Sequence, residues 1–467
     1  MEEIPLKYGY ELYDGPIVER RILYEVKSGG EIVGEVFEVK GKSKEKLVLR
    51  PEMTPTLGRL IARMDQELVK PVRWATISRY FRDETPQRGR VKEFWQLNVD
   101  IIGLDSAYAD AEVITILHDI LIELGLKKTE FQIYVNDRRI LEAVLKKLGI
   151  TNIDEVYPIL DKKDKLLQEE LKKQLGKAGL KEKEIELLSL KFRKFDKYKE
   201  DILSQYKGNK EILKISKDLN QIRKNAFVRF LVEKGINESN AEKLFDISEI
   251  HGPLKEALFE LEKYVSEFGV EHSVFEHIKE LEEYLESFGV IDTIILDASI
   301  VRGFAYYTGI IFEAFDSESL IPRALAGGGR YDNLVSVLGG PQIPATGFGM
   351  GETVILEILK EKNRLQGVSI GIPEIGIRPL NRNTMKKAHE IAQILRKSGK
   401  HVLFMPPKGK LGKTIEHFAK RGVRYLVIVG EKDLEKQAVT IKDLETGEQE
   451  QIAIKELERY LNEIIKN

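Results

Sequence analysis

The chain has 467 residues, with 74 basic and 76 acidic side chains for a net charge of −2, and 42% hydrophobic residues. That length favours two to four domains, and the near-neutral balance lacks the basic excess of a small nucleic-acid-binding domain, although a large protein can gather positive charge on one face. The chain contains no cysteine, which removes disulfides and thiolate metal sites; it also has no apolar run long enough to span a bilayer.

Met1 to Pro5 lacks the basic and apolar regions of a signal peptide, so the cytoplasm is the expected compartment. The seven histidines are scattered without ligand spacing. Charged residues make up 32% of the chain, which fits a heat-adapted composition and fits ordinary solvated helix faces equally well.

Residues 1–137 mix strands with helices. Leu47–Leu49, Val72–Ile77 and Phe131–Val135 read as strands, and Asp110–Leu124 as an amphipathic helix stopped by Gly125. Residues 138–288 are rich in Lys, Glu and Leu at helical spacing, as in Lys162–Leu175 and Leu254–Glu267, and read as an inserted helical domain standing off the sheet. Strand texture returns over 289–368, with Ile294–Leu296, Ile310–Phe315 and two glycine-rich segments, 327–329 and 347–351. Gln366–Arg378 reads as a connection, and residues 371–467 as a separate α/β unit. In that unit, strands Val402–Phe404 and Tyr425–Val429 alternate with helices near 384–398 and 411–421. Lys408, Lys410 and Lys413 sit in or beside a positively charged loop; phosphate contact and simple solvation both fit them.

The window Arg79–Gly103 is the richest in chemistry. Pro86 and Gly89 mark a loop between two strands. Along the second strand Gln96, Asn98 and Asp100 share one face, and Trp95, Leu97, Val99 and Ile101 share the other. A strand with one wet face would read the same way. The arginine content points further: Arg82, Arg88 and Arg90 cluster beside Glu84, and guanidinium forks suit phosphate oxygens. Downstream, Ser299–Gly309 carries Arg302 and the pair Tyr306–Tyr307. Ala326–Asp332 and Thr346–Gly351 are glycine-rich without a Gly-Lys-Ser/Thr sequence, so neither is a P-loop. A helix beginning near Glu352 would set its positive end close to the second glycine loop.

Together these windows resemble the histidyl-tRNA synthetases, ATP-dependent enzymes of class II architecture. The matching segments are Leu49–Thr54, the Arg82–Asp100 hairpin (class II motif 2), Val301–Thr308, Gly327–Asp332 and Ala345–Gly351 (motif 3). The resemblance implies an α+β fold: a class II antiparallel-sheet catalytic core in two parts (1–137 and 289–368), the helical insertion 138–288, and a C-terminal α/β anticodon-binding domain over 371–467. It implies that Glu52, Thr54, Gln96, Asp100, Tyr307 and Tyr331 hold L-histidine. Arg82, Glu84, Arg90 and Phe94 would bind ATP, with Arg82 on the α-phosphate, Glu84 near the adenine amino group and Phe94 stacked on the adenine. Arg302 would approach the α-phosphate from the other side, making Arg82 and Arg302 the catalytic pair. Mg²⁺ would enter with ATP, tRNA(His) would be the acceptor, and the chain would form a homodimer away from any membrane.

The sequence departs from the family at three places. The arginine that the family carries in the helix after motif 3, where it helps bind the far phosphates of ATP, aligns with Val354; Arg90 or Mg²⁺ would then supply that charge. The signature aspartate before the tyrosine pair is Ala305. The chain begins near Tyr8-Gly9-Tyr10, where the family already has a helix that forms much of motif 1 and the dimer interface, so an incomplete interface is expected, although Pro16 remains. The alternative is a catalytically silent paralogue, like the synthetase-like regulatory subunit of ATP phosphoribosyltransferase in histidine biosynthesis. An RNA-binding module is a third reading, but it leaves the polar row of Gln96, Asn98 and Asp100 unused.

Overall fold

The computed structural model describes residues 1–25, 34–42, 44–150, 156–157, 159–160, 163–177, 180–185, 188, 202–300, 306–318, 321, 323–365 and 373–465. The chain divides into two compact units, Met1–Leu365 and Gln366–Asn467.

The first unit is built on strands β1 (Glu11–Leu12), β2 (Val18–Arg20), β3 (Glu38–Val39), β4 (Leu47–Leu49), β5 (Val72–Phe81), β6 (Glu93–Ile102), β7 (Phe131–Asp137), β8 (His251–Pro253), β9 (Ile294–Asp297), β10 (Ile310–Asp316), β11 (Ala326–Arg330) and β12 (Ala345–Gly351). Nine of them make one sheet in the order β1-β5-β6-β12-β11-β10-β7-β9-β8, and β2-β4-β3 make a small second sheet. The large sheet is antiparallel except where β1 meets β5 and β7 meets β9. It is the α+β core that the sequence implied, although the second glycine-rich segment, expected as a loop, is like the first a central strand.

β5 and β6 form a ten-residue hairpin in register from Val72↔Ile102 to Phe81↔Glu93. The alternation along β6 decides which face is covered: Leu97, Val99 and Ile101 are buried in the main core with the helix Ala107–Glu123. That helix starts where the Ser106 hydroxyl accepts from the Tyr108 amide, satisfying a donor that has no partner within the helix. It is apolar on nearly all sides because it lies between the sheet and the helix Glu276–Ser287. The inserted stretch therefore does not simply stand off. Helices Leu254–Ser266 and Glu276–Ser287 bury Leu258, Leu261, Ile278 and Leu281 in the same core as the sheet, and β8 extends the sheet edge through β9. A separate small core, with Leu171, Leu175, Ile212 and Leu219, holds the remaining helical part together.

A buried ion pair ties these layers. Asp110, fully buried, accepts from Arg330 Nη2 at 2.7 Å and Nε at 3.1 Å, and lies 2.8 Å from His277 Nε2. Arg330 also donates to the Ser106 carbonyl at 2.8 Å. Burial alone would raise the Asp110 carboxyl, but the charges and hydrogen bonds of Arg330 and His277 outweigh it and hold the group below its usual range.

The second unit is a five-stranded sheet ordered β14-β13-β15-β16-β17, from β13 (Ile375–Pro379), β14 (Val402–Phe404), β15 (Tyr425–Val429), β16 (Ala438–Asp443) and β17 (Gln449–Ala453). Helices Met385–Lys397 and Leu411–Lys420 fall where the spacing put them. The expected connection Gln366–Arg378 is corrected at its end: Ile375–Pro379 is a fully buried strand paired on both sides. Its glycine and proline read as loop, yet Gly376 lets the Phe418 ring approach, and a Cβ there would meet that ring at 2.9 Å. Lys408, Lys410 and Lys413 are exposed.

Replacing Arg330 by Met strands the Asp110 charge in the interior. We expect a loss of about 3–5 kcal/mol in urea unfolding, as for other buried pairs broken on one side; a loss below 1 kcal/mol would mean that His277 alone compensates Asp110.

Candidate functional site

A cavity of about 680 Å³ opens on the face of the large sheet opposite the helix Ala107–Glu123. Glu52, Thr54, Gln96, Asp100, Tyr307 and Tyr331 line it, and so do Arg82, Glu84, Arg90 and Phe94. Residues drawn from four separated segments thus converge, and Gly347, Gly349 and Gly351 of a fifth line the same cavity. Arg302 and Ala305 lie outside the described residues. The chain on either side of them is anchored: Asn136 Nδ2 donates to the Ile300 carbonyl at 2.9 Å, and Tyr306 and Tyr307 are buried in the cavity wall.

The inner end is polar and tightly organised. Asp100 and Asn98 of β6 sit opposite Gly347 and Gly349 of β12. A Cβ on Gly347 would lie 2.1 Å from Asp100 Oδ1, and one on Gly349 would lie 2.2 Å from Gln96 Nε2. The glycines are therefore room for the neighbouring strand's polar side chains. Gln96 Nε2 donates to Asn98 Oδ1 at 2.9 Å, and Asn98 Nδ2 donates to the Tyr80 hydroxyl at 3.0 Å. The Tyr331 hydroxyl donates to Asp100 Oδ1. The Tyr306 hydroxyl donates to Glu52 Oε2 at 3.2 Å.

Asp100 is the electrostatic anomaly. Burial pushes its carboxyl up to about 7, against the opposing effect of the Tyr331 hydrogen bond, and among the described residues it forms no ion pair. Burial also pushes Tyr331 well up, with the Asp100 charge adding to it, so the phenol stays a donor. Such a carboxyl can present or accept a proton near neutral pH, which suits a ligand with a titrating nitrogen.

The outer end is cationic and aromatic. Arg82 donates from Nε to the Pro51 carbonyl at 3.0 Å, and its guanidinium carbon lies 5.2 Å from the Phe94 ring centre. Arg82 and Arg90 share one carboxylate, with Glu84 oxygens 3.8 Å and 2.6 Å away. The loop carrying Pro51 and Glu52 is held by Arg50, buried and donating to Asp14 Oδ1 at 2.8 Å, the Gly15 carbonyl at 2.7 Å and the Arg79 carbonyl at 3.0 Å. Arg88, grouped with Arg82 and Arg90 on sequence, turns away: it forms ion pairs with Glu357 and Glu361 of the helix Glu352–Glu361. Val354 on that helix is buried. Tyr306, Glu313 and Arg323 are among the cavity residues that the sequence reading did not assign to the site. Tyr306 stood beside the residue chosen, in the same window; Arg323 lies in no motif.

Residues 3–229 and 200–353 match the family model described as histidyl-tRNA synthetase, and residues 374–464 match that of an anticodon binding domain. The histidine–tRNA ligase of Pyrococcus furiosus is 33% identical over 465 residues, covering 98% of this chain and 92% of that protein. The chloroplastic/mitochondrial histidine–tRNA ligase of Arabidopsis thaliana is 32% identical, covering 98% of this chain and 81% of its own. Among solved structures, the histidyl-tRNA synthetase of Nostoc sp. PCC 7120 superposes with a TM-score of 0.74 at 21% identity, covering 99% of this chain and 93% of that one. A Bacillus halodurans C protein, described as an ATP phosphoribosyltransferase regulatory subunit/histidyl-tRNA synthetase, superposes with a TM-score of 0.62 at 21% identity, covering 92% of each chain. At these identities the two structures speak to the fold.

Asp100 has a direct consequence for stability. Its folded pKa of about 7 lies above the ordinary 3.8, so between those values the folded chain holds a proton that the unfolded chain has lost, and stability falls as pH rises. Asp100→Asn removes that loss while keeping an acceptor for Tyr331. We expect it to melt higher than the parent at pH 8 and to flatten the decline between about pH 4 and pH 7. Parallel melting curves for both proteins across that range would contradict the buried, unpaired carboxyl.

Proposed function

Because the chain belongs to the histidyl-tRNA synthetase family, we propose a division of labour within the cavity of about 680 Å³. The reaction is ATP-dependent histidine–tRNA ligation. The histidine carboxylate attacks the α-phosphorus of ATP, pyrophosphate leaves, and histidyl-adenylate forms. A hydroxyl of the terminal ribose of tRNA(His) then attacks the activated carbonyl, AMP leaves, and the ester remains on the RNA.

In this reading Asp100 and Tyr331 bind one side of the imidazole and Gln96 the other, so both ring nitrogens are read separately. An analogue lacking either nitrogen would leave buried polar groups unpaired, which is where strong rejection comes from. Glu52, oriented by Tyr306, and Thr54 accept from the α-amino group, and Tyr307 closes the wall. Phe94 stacks on adenine, Glu84 meets its amino group, and Arg82 grips the α-phosphate. Arg302 is assigned the opposite side of that phosphate. Catalysis then rests on orientation and on guanidinium charge aimed at the phosphorus. Mg²⁺ would arrive with the nucleotide and neutralise phosphate charge. Glu313, which lines the cavity, would offer a hard carboxylate of the kind such an ion combines with substrate oxygens. The C-terminal unit would read the anticodon, the active species would be a homodimer, and the protein would work in the cytoplasm.

The observation that carries this reading is that the polar row for histidine and the Arg82–Phe94 pair line the same cavity. Val354 favours the regulatory-subunit alternative, while the anticodon-domain match over 374–464 opposes it. Histidine-dependent ATP–pyrophosphate exchange separates the two: the parent should exchange. Arg82→Ala should lose about 100- to 1000-fold in rate, the usual weight of one oriented charge-stabilising group, with its melting temperature unchanged. Histidine binding without exchange in the parent would favour the regulator.

A further inference from the structure

Three arginines, Arg82, Arg90 and Arg323, line the outer end of the cavity. Arg82 and Arg90 share the Glu84 carboxylate. Arg323 forms no ion pair among the described residues. Its Nη2 donates to Gln87 Oε1 at 2.8 Å and its Nε to the Arg88 carbonyl at 3.3 Å, both neutral oxygens. These bonds fix the guanidinium against the tip of the β5–β6 hairpin without cancelling its charge. Burial and repulsion from Arg90 both disfavour the charged form of Arg323, and only Glu84 opposes them. Three guanidinium groups against the Glu84 and Glu313 carboxylates leave this end of the cavity with a positive excess, matched by a polyanion.

The position of Arg323 is as telling as its charge. A Cβ on Gly89 would lie 3.2 Å from Arg323 Cδ and 3.4 Å from Val354 Cγ2, so the two side chains border the same glycine. Val354 is the position where the resemblance calls for an arginine toward the far phosphates, and here it is a buried apolar residue packed into the main core. Arg88, the remaining arginine of the hairpin tip, is already paired with Glu357 and Glu361.

We propose that Arg323 holds the outer phosphates of ATP, standing in for the arginine that Val354 replaces. The guanidinium reaches the same corner of the cavity from the segment before β11 rather than from the helix after β12. This rests on the reading of the outer end as the nucleotide site. It makes Arg323 a substrate-binding residue specific for the β- and γ-phosphates, with no part in holding AMP or histidine.

The test compares the parent with Arg323→Ala, Arg323→Lys and the double variant Arg323→Ala/Val354→Arg, by exchange at varied ATP and by direct binding of ATP and of AMP. Arg323→Ala should raise the KM for ATP about tenfold to a hundredfold, the weight of a lost charge-assisted contact, while the KM for histidine and the Kd for AMP stay within about twofold. Arg323→Lys should fall between, since the charge survives and the fork does not. Adding Val354→Arg should restore part of the ATP affinity. Unchanged ATP affinity in Arg323→Ala would overturn the proposal. So would equal weakening of ATP and AMP, which would reduce Arg323 to a strut for Gln87. Absence of exchange in the parent would instead overturn the activity, and the ATP-against-AMP binding comparison would still decide the role of Arg323.

Discussion

Room over β12 for a carboxylate and an amide from the neighbouring strand exists because Gly347 and Gly349 have no Cβ. Any side chain there would overlap Asp100 Oδ1 or Gln96 Nε2 by more than an ångström of normal contact. Strand interiors ordinarily avoid glycine, which packs nothing and loses much conformational freedom. The sheet tolerates it here because β11 and β12 are central strands, paired on both sides. The neighbours keep the backbone extended while the glycines leave the face open. The cavity is thus a gap in the side-chain layer of an intact sheet, and its floor is as rigid as the sheet.

Two buried aspartates on this framework differ in whether a cation faces them. Asp110 lies against Arg330 and His277, and its pKa is lowered; it stays charged and fastens three elements. Asp100 is equally buried but faces a phenol and, among the described residues, no cation, and its pKa is raised to about 7. A carboxyl left unpaired in the interior destabilises the empty protein. A ligand that brings a basic nitrogen relieves that penalty, so part of the stability withheld in the free protein is returned on binding. The same sheet therefore carries one aspartate tuned for folding and one that, in the proposed reading, meets an imidazole.

Much of this was legible in the sequence, for reasons that are local. The alternation Gln96-Leu97-Asn98-Val99-Asp100 fixes which residues share a face, because the side-chain period of a strand leaves no choice, and the structure puts Leu97 and Val99 in the core and Asp100 in the cavity. The motif segments supplied most of the other cavity residues, since their spacing is bound to one fold. What local reading missed depended on partners far along the chain. Arg88 looked like part of the phosphate cluster, but Glu357, 269 residues away, claims it. Arg323 sits alone in sequence and acquires meaning only beside Gly89 and Val354. The second glycine strand, β12, like Ile375–Pro379, read as a loop because glycine and proline describe backbone freedom, and pairing on both sides overrides that freedom.

The central claim, that an empty strip on β12 makes the histidine pocket, is tested most directly by titrating histidine and ATP separately into Gly347→Ala. One methyl group placed against Asp100 should abolish histidine binding, or weaken it at least about a hundredfold through displacement of a buried hydrogen-bonded carboxyl, while ATP binds as in the parent. Histidine affinity equal to that of the parent would show that the pocket lies elsewhere.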